Sequence, residues 1–150
     1  MIHGQNCKSA LVIYPRALTT NADVTGQVDT IGYKSAMFQW HFGVQGATTA
    51  YTTIKLAGGS TSTAWTDIVA FTGGTATSTS AGFVIPSGVT ADGHTIRMSV
   101  NLNAQERYIK AFVRGADTAS VIGCCVATLY RGETVADTTT EMGVTTLVIG

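Results

Sequence analysis

The sequence predicts an all-β protein: an antiparallel β-sandwich, jelly-roll-like or barrel-like, with extended terminal segments. Three observations predict it. Apolar residues recur with period two through most of the chain, as they do in a strand with one face buried. Clusters of Gly, Pro and Asp separate these runs at short intervals. No helical period of 3.6 persists beyond two turns, and the best helical stretch, residues 104–110, gives way to alternation.

The elements follow in order. Residues 35–44 put Ala36, Phe38, Trp40 and Phe42 on one side and Met37, Gln39 and His41 on the other. Residues 51–56 place Ile54 and Leu56 together against Thr53 and Lys55. Residues 64–71 read as a short strand or edge segment. Residues 94–102 alternate Ile96, Met98, Val100 and Leu102 against Thr95, Arg97, Ser99 and Asn101. Residues 107–114 set Ile109, Ala111 and Val113 against Tyr108, Lys110, Phe112 and Arg114. Residues 120–130 are apolar or small on both faces, which marks a central strand. Phe38, Trp40, Phe42, Ile54, Leu56, Ile96, Val100, Ile109 and Val113 are expected to share one interior. Between the runs, Gly58-Gly59-Ser60, Gly73-Gly74, Pro86-Ser87-Gly88 and Asp92-Gly93 read as turns, because Gly permits positive φ and Pro fixes φ.

This division makes residues 1–9 an N-terminal arm, 10–131 the sandwich and 132–150 a tail with an added strand. The tail passes through Thr138, Thr139 and Thr140 and then turns apolar from Val144 to its end. Thr145, Leu147 and Ile149 are interface candidates there. A terminal strand can pair with its own sheet or with the edge of a neighbouring subunit. Both remain open from sequence.

Composition narrows the function. Of 150 residues, 45% are hydrophobic and 12% charged, with nine basic and nine acidic side chains. The charged share is about half the roughly 25% usual in soluble domains, so much of the surface is expected to lie against a partner. Zero net charge argues against nucleic acid as a partner, because counterion release needs clustered Lys and Arg. No apolar run approaches the roughly 20 residues a spanning helix needs, so no membrane association is expected. Residues 10–14 are too short for a signal core, and no positively charged segment precedes them; no export signal is read. Cys7, Cys124 and Cys125 form no even disulfide framework, and adjacent cysteines on a strand point to opposite faces, so reduced thiols are expected.

Catalytic chemistry finds no foothold. The chain has no Gly-x-Ser-x-Gly elbow, no phosphate loop ending in Lys-Ser or Lys-Thr, and no His-Glu-x-x-His. His3, His41 and His94 are scattered, and the carboxylates are spread without an Asp-x-Asp pair. No catalytic residue, metal ligand or cofactor is assigned. What remains is a face. Tyr108, Lys110, Phe112 and Arg114 interleave aromatics and cations on one side of a strand, a pattern that suits a nucleic-acid platform, a solvated sheet face or a protein interface. With no net positive charge, the last two are preferred. A carbohydrate-binding module is the rival reading, with Tyr33, Trp40, Tyr51 and Trp65 as a stacking face, although alternation sends Trp40 inward with Phe38 and Phe42.

The order of short motifs resembles a group of small tailed-phage virion proteins. Gly32-Tyr33-Lys34-Ser35-Ala36-Met37-Phe38 leads into an aromatic strand ending His41-Phe42-Gly43. Thr53-Ile54-Lys55-Leu56, Trp65-Thr66-Asp67-Ile68, an Arg107-Tyr108-Ile109-Lys110 strand and a small-residue strand from Gly123 to Thr128 follow. The similarity spans residues 18–131. The chain departs from the pattern in its loop Ala57-Gly58-Gly59-Ser60, which lacks acidic character, and in its further Thr-rich strand. The resemblance implies a β-sandwich head decoration, or cement, protein. Its partner would be the major capsid protein and its place the capsid of a virion assembled in the host cytoplasm. Self-association as a dimer or trimer is expected. A tail or baseplate protein, or a small capsid subunit, is the alternative within the same class.

Overall fold

A computed structural model describes residues 7–18, 22–43, 51–74, 82–85, 95–116, 121–131 and 146–149. The strands are β1 (Cys7–Leu18), β2 (Val24–Asp29), β3 (Ser35–Phe42), β4 (Tyr51–Gly59), β5 (Thr66–Gly74), β6 (Phe83–Val84), β7 (Thr95–Asn101), β8 (Tyr108–Gly115), β9 (Val121–Tyr130) and β10 (Thr146–Ile149). They form two five-stranded sheets, ordered β1-β9-β3-β7-β10 and β2-β8-β4-β5-β6. The all-β sandwich is what the alternation predicts. Pairing is antiparallel except at two margins, where β10 runs parallel to β7 and β6 parallel to β5.

The core is the inward phase of these strands. Phe38, Trp40, Phe42, Ile54, Leu56, Ile96, Val100, Ile109 and Val113 are all buried in one cluster. Leu18, Phe71, Met98 and Leu129 are among its other members. The rings of Phe42 and Tyr51 meet at 4.1 Å between centroids, joining β3 of one sheet to β4 of the other. Burial of the Tyr51 side chain pushes its phenol well above the ordinary tyrosine value. Cys125 is buried and Cys124 half-buried, on opposite sides of β9. Desolvation, reinforced by Cys124, holds the Cys125 thiol in its protonated form.

The chain crosses between sheets through short, tied connections. After β2, Thr30 donates from both its backbone N–H (3.0 Å) and its hydroxyl (2.6 Å) to the Arg107 carbonyl. Gly32 then takes a left-handed φ of 83°, and the Tyr33 N–H closes the turn on Thr30 O at 3.1 Å. This is the Gly-Tyr-Lys-Ser motif, and it delivers the chain into β3. On the return, β7 ends in a single 3-10 turn, Leu102–Ala104, whose Asn101 side chain accepts from the Asn103 N–H at 3.1 Å.

Several expectations are corrected. Cys7, Lys8 and Ser9 belong to β1, where they pair with Tyr130, Leu129 and Thr128, so the strand takes up the last three residues assigned to the arm. β2 is a strand the sequence reading did not name; it offers only Val24 and Val28 as apolar inward residues. Gly58 and Gly59 end β4, and Gly73 and Gly74 end β5, instead of making turns. At Gly59 the reason is close approach: a Cβ there would stand 2.2 Å from the Ala64 carbonyl oxygen. The turn readings at residues 86–88 and 92–93, and the Thr run at 138–140, lie outside the described residues.

Candidate functional surfaces

Tyr108, Lys110, Phe112 and Arg114 lie together on the outward face of β8, in the middle of the second sheet, and all four are half-buried. β2 supplies Asp29, Gln27 and Thr25 opposite Tyr108, Lys110 and Phe112. On the other flank β4 places Lys55 opposite Phe112 and Ala57 opposite Lys110. Sequence alternation grouped the four residues correctly; the cross-strand pairing supplies their partners.

Those partners neutralise most of the charge. Arg114 Nε donates to Asp23 Oδ1 at 2.8 Å. Arg107 donates through two nitrogens to both oxygens of Asp29, at 3.0 and 2.7 Å. Lys55 Nζ donates to Asp67 Oδ2 at 2.8 Å. Lys110 stands 5.2 Å from the ring centroids of both Trp65 and Phe112, and Lys55 lies 5.0 Å from Phe112. The face is therefore a lattice of ion pairs and cation–aromatic contacts. A phosphate backbone needs unspent cations, and here three of the cations already face a carboxylate.

The tail candidates fall elsewhere. Leu147 and Ile149 sit in β10, at the margin of the first sheet, opposite Arg97 and Ser99 of β7. They lie in a different sheet from the β8 face, and Thr145 is outside the described residues. The added strand thus pairs with its own sheet.

The outward face of the first sheet has another character. β9 and β3 carry no Asp, Glu, Lys or Arg. Their outward residues are Ile122, Cys124, Val126, Thr128 and Tyr130 on β9, with Met37, Gln39 and His41 on β3. Ile122 is 57% exposed, and on neighbouring β1 Leu11 is 44% and Tyr14 71% exposed. His41 is exposed and hydrogen-bonded to the Thr95 hydroxyl at 3.3 Å, as a surface histidine should be.

The four aromatics of the carbohydrate reading do not assemble. Trp40 and Tyr51 are core residues, Tyr33 lies 5.6 Å beneath the Arg131 guanidinium, and Trp65 is half-buried beside a cavity. That cavity, of about 620 Å³, was not foreseen. It opens between the end of β4, the residues leading into β5, and the 3-10 turn before β8. The sequence held one signal for it. Ile54, Leu56 and Gly58 share the inward phase of β4, and the third member has no side chain to fill the space.

No protein-family model and no curated protein matches this sequence. Among solved structures, the chain is similar to a subunit of Bacillus endospore appendages, described as a novel family of disulfide-linked pili. That match has 16% identity and a TM-score of 0.42, covering 89% of this chain and 96% of that one. It is similar to a chain of Sulfolobus turreted icosahedral virus at 10% identity and a TM-score of 0.40, over 87% of this chain and 31% of that one. A third likeness is to the K3 adhesin domain of Lys-gingipain from Porphyromonas gingivalis. There the identity is 12% and the TM-score 0.38, over 82% of this chain and 73% of that one.

Proposed function

We propose that this chain is a non-enzymatic structural protein of a virion, acting as a decoration or cement protein on the capsid. The observation that carries the reading is the uncharged outward face of β9 and β3, continued by exposed Leu11 and Tyr14 on β1. An uncharged sheet face of this kind, with Ile122, Val126, Met37 and Leu11 set among Thr128, Gln39 and His41, suits burial against another subunit. Rigidity comes from two sheets with a continuous core. A cement protein needs a rigid body and a contact face, repeated at many equivalent sites, so that modest single contacts hold collectively. The motif order shared with small tailed-phage virion proteins supports the same reading, with the major capsid protein as partner and self-association as a dimer or trimer.

Deletion particles test it. Shells lacking this chain should assemble but rupture at lower temperature and under milder osmotic shock, and adding the purified chain should restore resistance. Ile122→Lys, on the uncharged face, should abolish that rescue while leaving the chain folded. Normal resistance in the deletion particle would overturn the cement reading and favour a tail or baseplate role.

A further inference from the structure

The cavity beside Trp65 lies apart from the uncharged face, and the structural role makes no use of it. Its size, about 620 Å³, is that of a small-ligand site. Gly58 and Gly59 give it a floor of bare backbone, and Trp65 stands half-exposed along its wall. On the opposite wall are Asn103, Gln105 and Glu106, whose side chains make no hydrogen bond to any other described residue. Two carboxamides and a carboxylate offer donors and acceptors in close company.

Both walls are held in place before anything binds. Thr61 Oγ1 accepts from the Ala64 N–H at 3.3 Å and shares a 3.2 Å hydrogen bond with Thr63, which fixes the turn that presents Trp65. Opposite, Asn101 caps the 3-10 turn, and the Gln105 N–H returns to Leu102 O at 3.2 Å. A preformed site loses less entropy on binding. The charge selects the ligand. No Lys, Arg or His lines the cavity, and Asp67 at its rim is paired with Lys55. Lys110, whose Nζ lies 5.2 Å from the Trp65 ring centroid, is outside the lining, while Glu106 within it sets a negative charge against phosphates and carboxylates. An indole flanked by free amides fits a pyranose, which offers an apolar C–H face to the ring and hydroxyls to the amides.

We propose that this cavity binds a neutral saccharide of one or two rings, with Trp65 as the stacking residue and Asn103, Gln105 and Glu106 as hydroxyl partners. The site is independent of the cement reading: a shell protein and a sugar site can share one sandwich on separate surfaces.

The probes are glucose, galactose, N-acetylglucosamine, maltose, cellobiose and lactose, titrated into the full chain by calorimetry, with glucose 6-phosphate as the anionic control. At least one neutral sugar should bind with a Kd of about 1 mM or tighter. Trp65→Ala should weaken it about tenfold or more, and the anionic control should bind more weakly than its neutral parent. The double variant Asn103→Ala with Gln105→Ala, on an exposed turn, should also lose binding with an unchanged melting curve, and it decides the matter if Trp65→Ala fails to fold. Absence of binding by all six sugars at about 10 mM, ten times that expected Kd, overturns the proposal. So does full affinity in the double variant.

Discussion

Asp29 and Arg107 stand 78 positions apart in the chain and form a two-point ion pair, Nε to Oδ1 at 3.0 Å and Nη2 to Oδ2 at 2.7 Å. The pair joins the end of β2 to the residue that enters β8, and the Arg107 carbonyl also receives both hydrogen bonds from Thr30. The same few atoms therefore hold a strand pair and the turn that crosses between sheets.

That relationship sets a pH dependence. The Arg107 hydrogen bonds, and then the Ile31 N–H at 3.0 Å, hold the Asp29 carboxyl below its ordinary value of 3.8. A carboxylate lowered in the folded state contributes stability above its unfolded pKa and loses it as pH falls through the folded one. Asp29→Asn should thus narrow the stability gap between pH 6 and acid conditions below about pH 4. The group is exposed, so the effect should be small and should shrink further in high salt. Denaturant midpoints at the two pH values, with and without salt, check it.

Phe38 tests the strand phase. Its ring is fully buried in the central part of the first sheet, where β3 pairs with both β7 and β9. Phe38→Ala should cost about 3–5 kcal/mol. A thermal melt reads this directly, and an unchanged curve would refute the register of β3.

Gly58 and Gly59 should behave as opposites. A Cβ at Gly59 would collide with the Ala64 carbonyl oxygen at 2.2 Å and the Thr61 carbonyl oxygen at 2.9 Å. Both are backbone atoms, so relief requires moving the turn, and Gly59→Ala should destabilise by about 1–3 kcal/mol. At Gly58 the nearest atom would be Glu106 Cβ at 3.5 Å, an ordinary contact. Gly58→Ala should melt within about 0.5 kcal/mol of the parent. Comparing the two midpoints checks the geometry of the cavity floor.

The tail gives the last test. β10 pairs with β7 from Thr146↔Ile96 to Ile149↔Ser99. Deleting residues 143–150 removes these hydrogen bonds and exposes the β7 edge. The truncated chain should melt lower, with its oligomer mass unchanged by light scattering. A folded monomer from a parent oligomer would instead place the strand across a subunit interface.

Local chemistry in the sequence determined much of this protein. Period-two alternation identified β3, β4, β7, β8 and β9 and sent Phe38, Trp40, Ile54, Ile96 and Ile109 to one interior, because a strand's two faces differ in their access to water. The same alternation placed Tyr108, Lys110, Phe112 and Arg114 on one face. β2 escaped notice, because Val24 and Val28 are too few apolar residues to make a period. With β2 unseen, Asp23 and Asp29 could not be matched to Arg114 and Arg107. Glycine misled at Gly58-Gly59 and Gly73-Gly74, since a missing side chain serves close backbone approach as well as turns. Tertiary structure alone brought Gly58, Trp65 and Asn103 around one cavity, and it alone chose β7 as the partner of the tail. Both depend on which distant strands become neighbours, and backbone hydrogen bonds, which every strand offers alike, do not name a partner strand in the sequence of either.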